Sequence, residues 1–458
     1  MKKIYFLFSA LLALSIFSCK KDEETSSTPT TTDGKVIIQG DITGSVTWEA
    51  DKKYLLKGFV YVTDGATLTI PAGTVVFGDK DTKGTLVVER GGKLIAEGTA
   101  EKPVVFTSSV APGNRGYGDW GGLVLAGKAP INQVDPAMEG GIRGTYGGSD
   151  ANDNSGSLKY VRIEFAGIAF QPDKEINGLT MYGVGAGTTI EHIQVSYCGD
   201  DSYEWFGGSV NAKYLIAHRG WDDEFDTDFG FVGKIQFGLS IRDKNFSDKS
   251  ASNGFESDNF DPGTPATSLI TAPVFANMTV YLADTSTTVR GGGGPTNSGS
   301  GDFGRSMHLR RNTKTSVFNS VFVGFPEGLR LDGNSTWDNV QAGELQLRGV
   351  ALAGSKTYIK AVASSSYFTD GDVDTWFMDT DYKNEKPTVA SLKLTGISSL
   401  TAPNPLPEAG SVLLDATKVV WDGKGADAFF EKVTYRGAFG TTNWTTGWAN
   451  FNPQQTAY

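Results

Sequence analysis

Glu191-His192-Ile193-Gln194-Val195-Ser196-Tyr197-Cys198-Gly199 is followed by Ala212-Lys213-Tyr214-Leu215-Ile216-Ala217-His218-Arg219-Gly220, and then by an apolar run around Ile235 and Phe237. Aligned without gaps, Ile193, Tyr214 and Ile235 fall 21 residues apart. An earlier copy, Tyr160-Val161-Arg162-Ile163-Glu164-Phe165-Ala166-Gly167, lies 32 residues ahead of the first, one coil plus a loop insertion. A repeat near 21 residues built from strands and turns reads as one rung of a β-solenoid. One rung cannot bury its apolar side alone, whereas stacked rungs share a continuous core.

The rest of the chain agrees. From Val36 onward, short β-branched runs such as Thr67-Leu68-Thr69-Ile70, Thr85-Leu86-Val87-Val88 and Val104-Val105-Phe106-Thr107 are separated by Gly, Asn, Asp and Pro. The runs recur every 7 to 10 residues, too close for intervening helices. The 58 glycines and 20% charged residues point the same way, to many turns between short strands.

The N-terminus has its own pattern. Lys2 and Lys3 precede an apolar run from Ile4 to Phe17, then Ser18 and Cys19, the layout of a secretory signal. The apolar run is shorter than the ~20 residues a bilayer span requires. Cleavage after Ser18 would leave 39 basic against 52 acidic residues, a net charge of −13. Such a surface repels nucleic acid and favours divalent cations, or cationic and neutral ligands. With Cys19 acylated, Cys198 is the one remaining cysteine, so no intramolecular disulfide forms.

Two resemblances follow from quoted motifs. Ile16-Phe17-Ser18-Cys19, with Lys20-Lys21-Asp22-Glu23-Glu24 behind it, resembles the lipobox and acidic export tag of Bacteroidetes surface lipoproteins. Gly65-Ala66-Thr67-Leu68-Thr69-Ile70-Pro71-Ala72-Gly73-Thr74-Val75, Gly91-Gly92-Lys93-Leu94-Ile95-Ala96-Glu97-Gly98-Thr99 and Pro103-Val104-Val105-Phe106-Thr107-Ser108 resemble the right-handed parallel β-helix proteins of the pectin-lyase-like type. Together these imply an all-β chain: a signal peptide at 1–18, a lipid-anchored tether at 19–35, a right-handed parallel β-helix over 36–330, and a C-terminal region, 331–458, that continues or covers it. They also imply an outer-membrane lipoprotein held by a lipid on Cys19, facing the cell exterior, with an importer complex as a candidate partner. The fold alone does not imply an activity, since β-helices host lyases, hydrolases, adhesins and plain binding surfaces.

Candidate chemistry gathers after the aligned strands. Allowing a one-residue insertion after Gly220, the pairs Tyr203-Glu204, Phe225-Asp226 and Phe255-Glu256 come into register. Alternate strand residues face opposite sides, so inward aromatics would place Glu204, Asp226, Asp228, Glu256 and Asp258 together on the outer face. Crowded carboxylates need a cation, an arginine or a shared proton. The first gives a Ca²⁺ site from Asp226, Asp228, Glu256 and Asp258. The second is solvated pairing with Arg219, Arg242 or Arg330. The third makes Glu204, Asp226 and Glu256 catalytic candidates, at rung spacings that suit glycoside hydrolysis. Nine tryptophans are many for a solenoid, and Trp205 and Trp221 beside these acids are candidates for stacking on a sugar.

Other motifs are weaker. Asp370, Asp372 and Asp374 open like a calcium loop, but Thr375 and Asp381 stand where its Gly and Glu belong, which favours an acidic turn. His192, His218 and His308 lack metal-ligand spacing. No G-x-S-x-G occurs, and Gly291-Gly292-Gly293-Gly294 lacks the Lys of a P-loop. Three functional classes remain: a surface protein binding an extracellular glycan with Ca²⁺, a polysaccharide lyase or glycoside hydrolase, and an adhesin or structural surface protein.

Overall fold

The computed structural model describes residues 31–171, 174–260, 267–282 and 303–458. The signal sequence, Cys19, the tether up to residue 30 and the glycine run at 291–294 lie outside the described residues. Twenty-six strands join in one sheet. Its pairings are parallel, apart from Thr31–Thr32 against the start of Lys35–Ile42. The chain is an all-β, right-handed parallel β-helix.

The rungs are made of local alternation. On one face Leu179–Val184, Tyr203–Gly208, Phe225–Asp228, Phe255–Ser257, Arg305–Leu309, Glu327–Asp332 and Thr357–Val362 pair in succession. Their inward residues Tyr203, Phe225, Phe255, Met307, Leu329 and Ile359 stack down the core, each buried. The Tyr203 and Phe225 rings lie parallel, 5.6 Å apart. The Tyr203 hydroxyl reaches the carbonyls of Ile193 and Ile216, at 2.8 and 2.9 Å, tying this face to the next.

The repeat length differs from the gapless alignment. Ile193 pairs with Leu215, not Tyr214, and Leu215 pairs with Gly238, so these rungs are 22 and 23 residues long. No insertion after Gly220 is needed, because the same 22-residue offset joins Glu191 to Lys213 and Glu204 to Asp226. The error came from the corner residues. His192, Tyr214 and Phe237 are the true equivalents, and all have left-handed backbone, φ 55°, 61° and 64°. That conformation costs an L-residue roughly 1–2 kcal/mol. Stacking offsets it: Tyr160 on His192 at 4.3 Å, His192 on Tyr214 at 4.4 Å, Tyr214 on Phe237 at 5.0 Å.

Strands continue past residue 330, to Thr357–Val362. Beyond them the chain has short helices and irregular segments that cover one flank. Leu392, Ile397, Leu413, Phe439 and Trp448 bury against Ile216, Leu239, Ile241, Val321 and Val323, apolar residues on the outside of the helix. Trp448 and Trp444 meet the aromatic corner edge-on. Asp370, Asp372 and Asp374 belong to the helix Asp370–Phe377, where Asp372 and Thr369 form a capping box. Asp374 pairs with Lys386 and Asp370 faces Lys360.

Candidate functional site

The outward positions of the same strands form a charge ladder. Glu204 pairs in register with Asp226, Asp226 with Glu256, Glu256 with His308, His308 with Arg330, and Arg330 with Lys360. One end of the face is acidic and the other basic, with His308 at the change of sign.

The acidic end is enlarged by the turns that enter each strand. Asp200 and Asp201 precede Tyr203, and Asp222 and Asp223 precede Phe225, one 22-residue rung later. The Asp223 amide donates to Asp201 Oδ1 at 2.7 Å. Asp223 in turn accepts from the amide of Asn253 and from its Nδ2 at 3.1 Å, and that Nδ2 also reaches Glu256 Oε2 at 2.9 Å. These bonds fix three successive turns in line. A cavity of about 180 Å³ opens between them, lined by Asp201, Asp222, Asp223, Asp226, Glu256 and Arg310 among others.

Two sets of carboxylate oxygens, sharing Asp201, converge at the wall of this cavity. Asp200, Asp201 and Asp222 each place an oxygen within 4.8 Å of the others, and so do Asp201, Glu204 and Asp226. Among the described residues no basic group lies within 4 Å of these five carboxylates, although the Asn177 amide donates to Glu204 and Ser250 Oγ to Asp222. Asp226 Oδ1 is buried without a hydrogen-bond partner.

Burial and mutual repulsion therefore raise these acids. Asp201 is pushed well up by burial first, then by Asp223, Asp200, Glu204 and Asp226. Burial also leads for Asp226, with Glu256 next, and for Glu204, with Glu139 and Asp226 next. Asp200 and Asp222 move the same way. Asp223 is pushed up to about 7 by burial and Glu256, opposed by the Asn253 bonds and by Arg242. Glu256 is the exception. Burial alone would raise it, but the His308 hydrogen bond and the Arg310 charge outweigh burial and hold it below the usual range.

The expected site residues thus divide. Glu204, Asp226 and Glu256 do share one face in adjacent rungs. The quartet Asp226, Asp228, Glu256 and Asp258 does not stand together as free ligands. Arg310 contacts Glu256 and Asp258, the latter at 2.5 Å, and Arg311 reaches Asp258 at 2.6 Å. Asp228 turns back on its own strand end, accepting from the Phe229 amide at 2.6 Å. The arginines named from sequence lie elsewhere: Arg219 pairs with Asp243, Arg242 with Glu224 and Arg330 with Glu327. The tryptophan expectation is corrected as well. Trp205 is wholly buried in the core, and Trp221 is 5% exposed, packed on Tyr117. None of the nine tryptophans is exposed. Asp200, Asp201, Asp222, Asp223 and Arg310 were missed. An Asp-Asp pair recurring after one rung length was the available signal for four of them.

Rungs stacked in parallel register define the class as a right-handed parallel β-helix. The family model for the pectate-lyase like beta helix domain matches residues 40–392, and the chain belongs to that family. No curated protein and no solved structure matches it. The fold is consistent with glycan binding or with action on a polysaccharide.

Proposed function

We propose that this protein binds an extracellular glycan through the face carrying Glu204, Asp226 and Glu256, with a divalent cation, Ca²⁺ by ligand type, held in the acidic cavity. The observation that carries this reading is the pair of three-oxygen sets sharing Asp201, with no basic partner among the described residues. Ca²⁺ takes six to eight oxygens and suits clustered carboxylates. It would relieve the repulsion and offer open positions to sugar hydroxyl or carboxylate oxygens, which the bare acidic face would not attract. The test is retention of the protein on a panel of plant and microbial polysaccharides, with Ca²⁺ or with a chelator. Ca²⁺-dependent retention that Asp201→Asn/Asp226→Asn abolishes is expected. Retention indifferent to chelator removes the cation, and no retention at all leaves the adhesin or structural reading.

A second reading has its own support. Asp223, raised to about 7, and Glu256, held ionised, line the same cavity. Carboxyl groups whose surroundings drive them apart in this way suit a general acid beside a base. New reducing ends or unsaturated sugar products, lost in Asp223→Asn, would make the protein a glycoside hydrolase or polysaccharide lyase.

For location we propose an outer-membrane lipoprotein anchored through Cys19 and facing outward. Among the described residues no helix is long and apolar enough to cross a membrane. Cys19→Ala is expected to move the protein from the membrane fraction to the soluble one and to abolish lipid labelling. Retention in membranes would refute the anchor.

A further inference from the structure

A second cavity, of about 410 Å³, lies between the β-helix and its C-terminal segment, lined by Arg115, Tyr117, Tyr197, Arg219, Phe246 and Gln454 among others. This is within the usual size range of small-molecule sites, roughly 300–1,000 Å³. Trp221, edge-on to Tyr117 at 5.3 Å, stands next to Asp222 in sequence and packs at the back of this wall, away from the acidic cavity's own lining.

Three of the lining side chains have a buried polar atom without a close hydrogen-bond partner, the Tyr117 hydroxyl, Arg219 Nε and Gln454 Oε1, although the Tyr117 hydroxyl and the Arg219 guanidinium act on each other at longer range. Tyr117 is only 6% exposed. Leaving a buried polar group unsatisfied costs about 1–3 kcal/mol, so three polar atoms short of close partners around one cavity point to something that completes their bonding. Their chemistry differs. Arg219 Nε can only donate, the tyrosine hydroxyl can donate, and Gln454 Oε1 can only accept.

The charge balance narrows the ligand. Arg219 is neutralised by Asp243. Arg115, 5% exposed, donates to the backbone carbonyls of Val110, Pro453 and Thr456, at 3.1, 2.8 and 2.9 Å, and has no carboxylate within 4 Å among the described residues. The Arg115 guanidinium therefore has no carboxylate in direct contact: Glu164 and Asp119 act on it from beyond 4 Å, and it lies over the Phe165 and Tyr458 rings. Tyr117, Tyr197 and Phe246 supply apolar wall, with Tyr117 rings 5.4 and 4.9 Å from the other two.

We infer that this cavity binds a small polyhydroxy carboxylate, whose carboxylate accepts from Arg219 and Tyr117 and balances Arg115, and whose hydroxyl donates to Gln454. The site is separate from the acidic cavity and does not depend on a glycan bound there. The probes are D-gluconate and sorbitol, which share a six-carbon polyhydroxy chain and differ in the carboxylate. Calorimetry and thermal melting of the full chain in Ca²⁺-free buffer should show binding and stabilisation by gluconate, and neither by sorbitol. Tyr117→Phe removes only the hydroxyl and keeps the ring that packs on Tyr197, Trp221 and Phe246, and gluconate affinity should fall about tenfold, the scale of one charge-assisted hydrogen bond. Absence of gluconate binding to wild type, equal binding of sorbitol, or unchanged affinity in Tyr117→Phe overturns the assignment and leaves ordered water as the occupant.

Discussion

In the presence of a chelator, raising the pH from about 6.5 to about 8.5 should lower the melting temperature, and Ca²⁺ should restore it. The acids Asp200, Asp201, Glu204, Asp222 and Asp226 are raised well above their ordinary values by burial and by one another, and Asp223 to about 7. In the unfolded chain such groups lose their protons near pH 4. Above that the folded state binds more protons than the unfolded state, so stability falls as pH rises, and the loss is complete only above the folded values. His308, raised by Asp332 and Glu256 against the effect of burial, adds to the fall. His192 and His218 are held neutral by burial and act in the opposite sense. Their contribution is confined below about pH 6.5, which sets the lower edge of the window. The decline should be on the order of a few kcal/mol. A cation binding only the folded state at a hundred times its Kd returns about 2.7 kcal/mol. Asp201→Asn/Asp226→Asn should flatten the slope, melt higher than wild type at the alkaline end, and lose the Ca²⁺ response. A melting temperature that holds or rises across this window in chelator would refute the electrostatic account of the cavity.

Arg242→Met should be among the most destabilising single changes in the described fold. The Arg242 and Glu224 side chains are both wholly buried, paired at 2.8 Å. Arg242 also donates to the carbonyls of Trp221, at 3.1 Å, and Asp222. Removing one member of such a pair strands a buried charge and costs about 3–5 kcal/mol. Here it also frees the turn that carries Asp222 and Asp223, so Ca²⁺ stabilisation should weaken with it. Adding Glu224→Leu removes the stranded charge and should recover a large part of the loss without recovering the Ca²⁺ response. Urea titration measures both. A loss under about 1 kcal/mol for the single variant would mean that water reaches Glu224, contrary to its burial.

The acidic face was partly legible for a physical reason. Strand alternation is local, so Tyr203-Glu204, Phe225-Asp226 and Phe255-Glu256 disclose their inward and outward residues without knowledge of neighbours. Compensation is not local. Arg310 comes from the rung after Glu256, 54 residues on, and only the stacking of Phe255–Ser257 on Arg305–Leu309 brings them together. Trp205 obeys the local rule: the alternation that turns Glu204 outward turns its neighbour Trp205 into the core.

The solenoid class is legible in the chain's own pattern, because short β-branched runs at close, regular spacing leave no room for helices and cannot bury themselves singly. That pattern did not determine the rung length to the residue. The left-handed corner at His192, Tyr214 and Phe237 breaks the alternation by which strands are aligned, and aromatic side chains conceal a position that Gly or Asn would have marked. Which carboxylates lack a basic partner emerges on folding, since that depends on which turns stack. Asp200, Asp201 and Asp222 meet because each rung returns the chain one strand spacing, about 4.8 Å, from where it began.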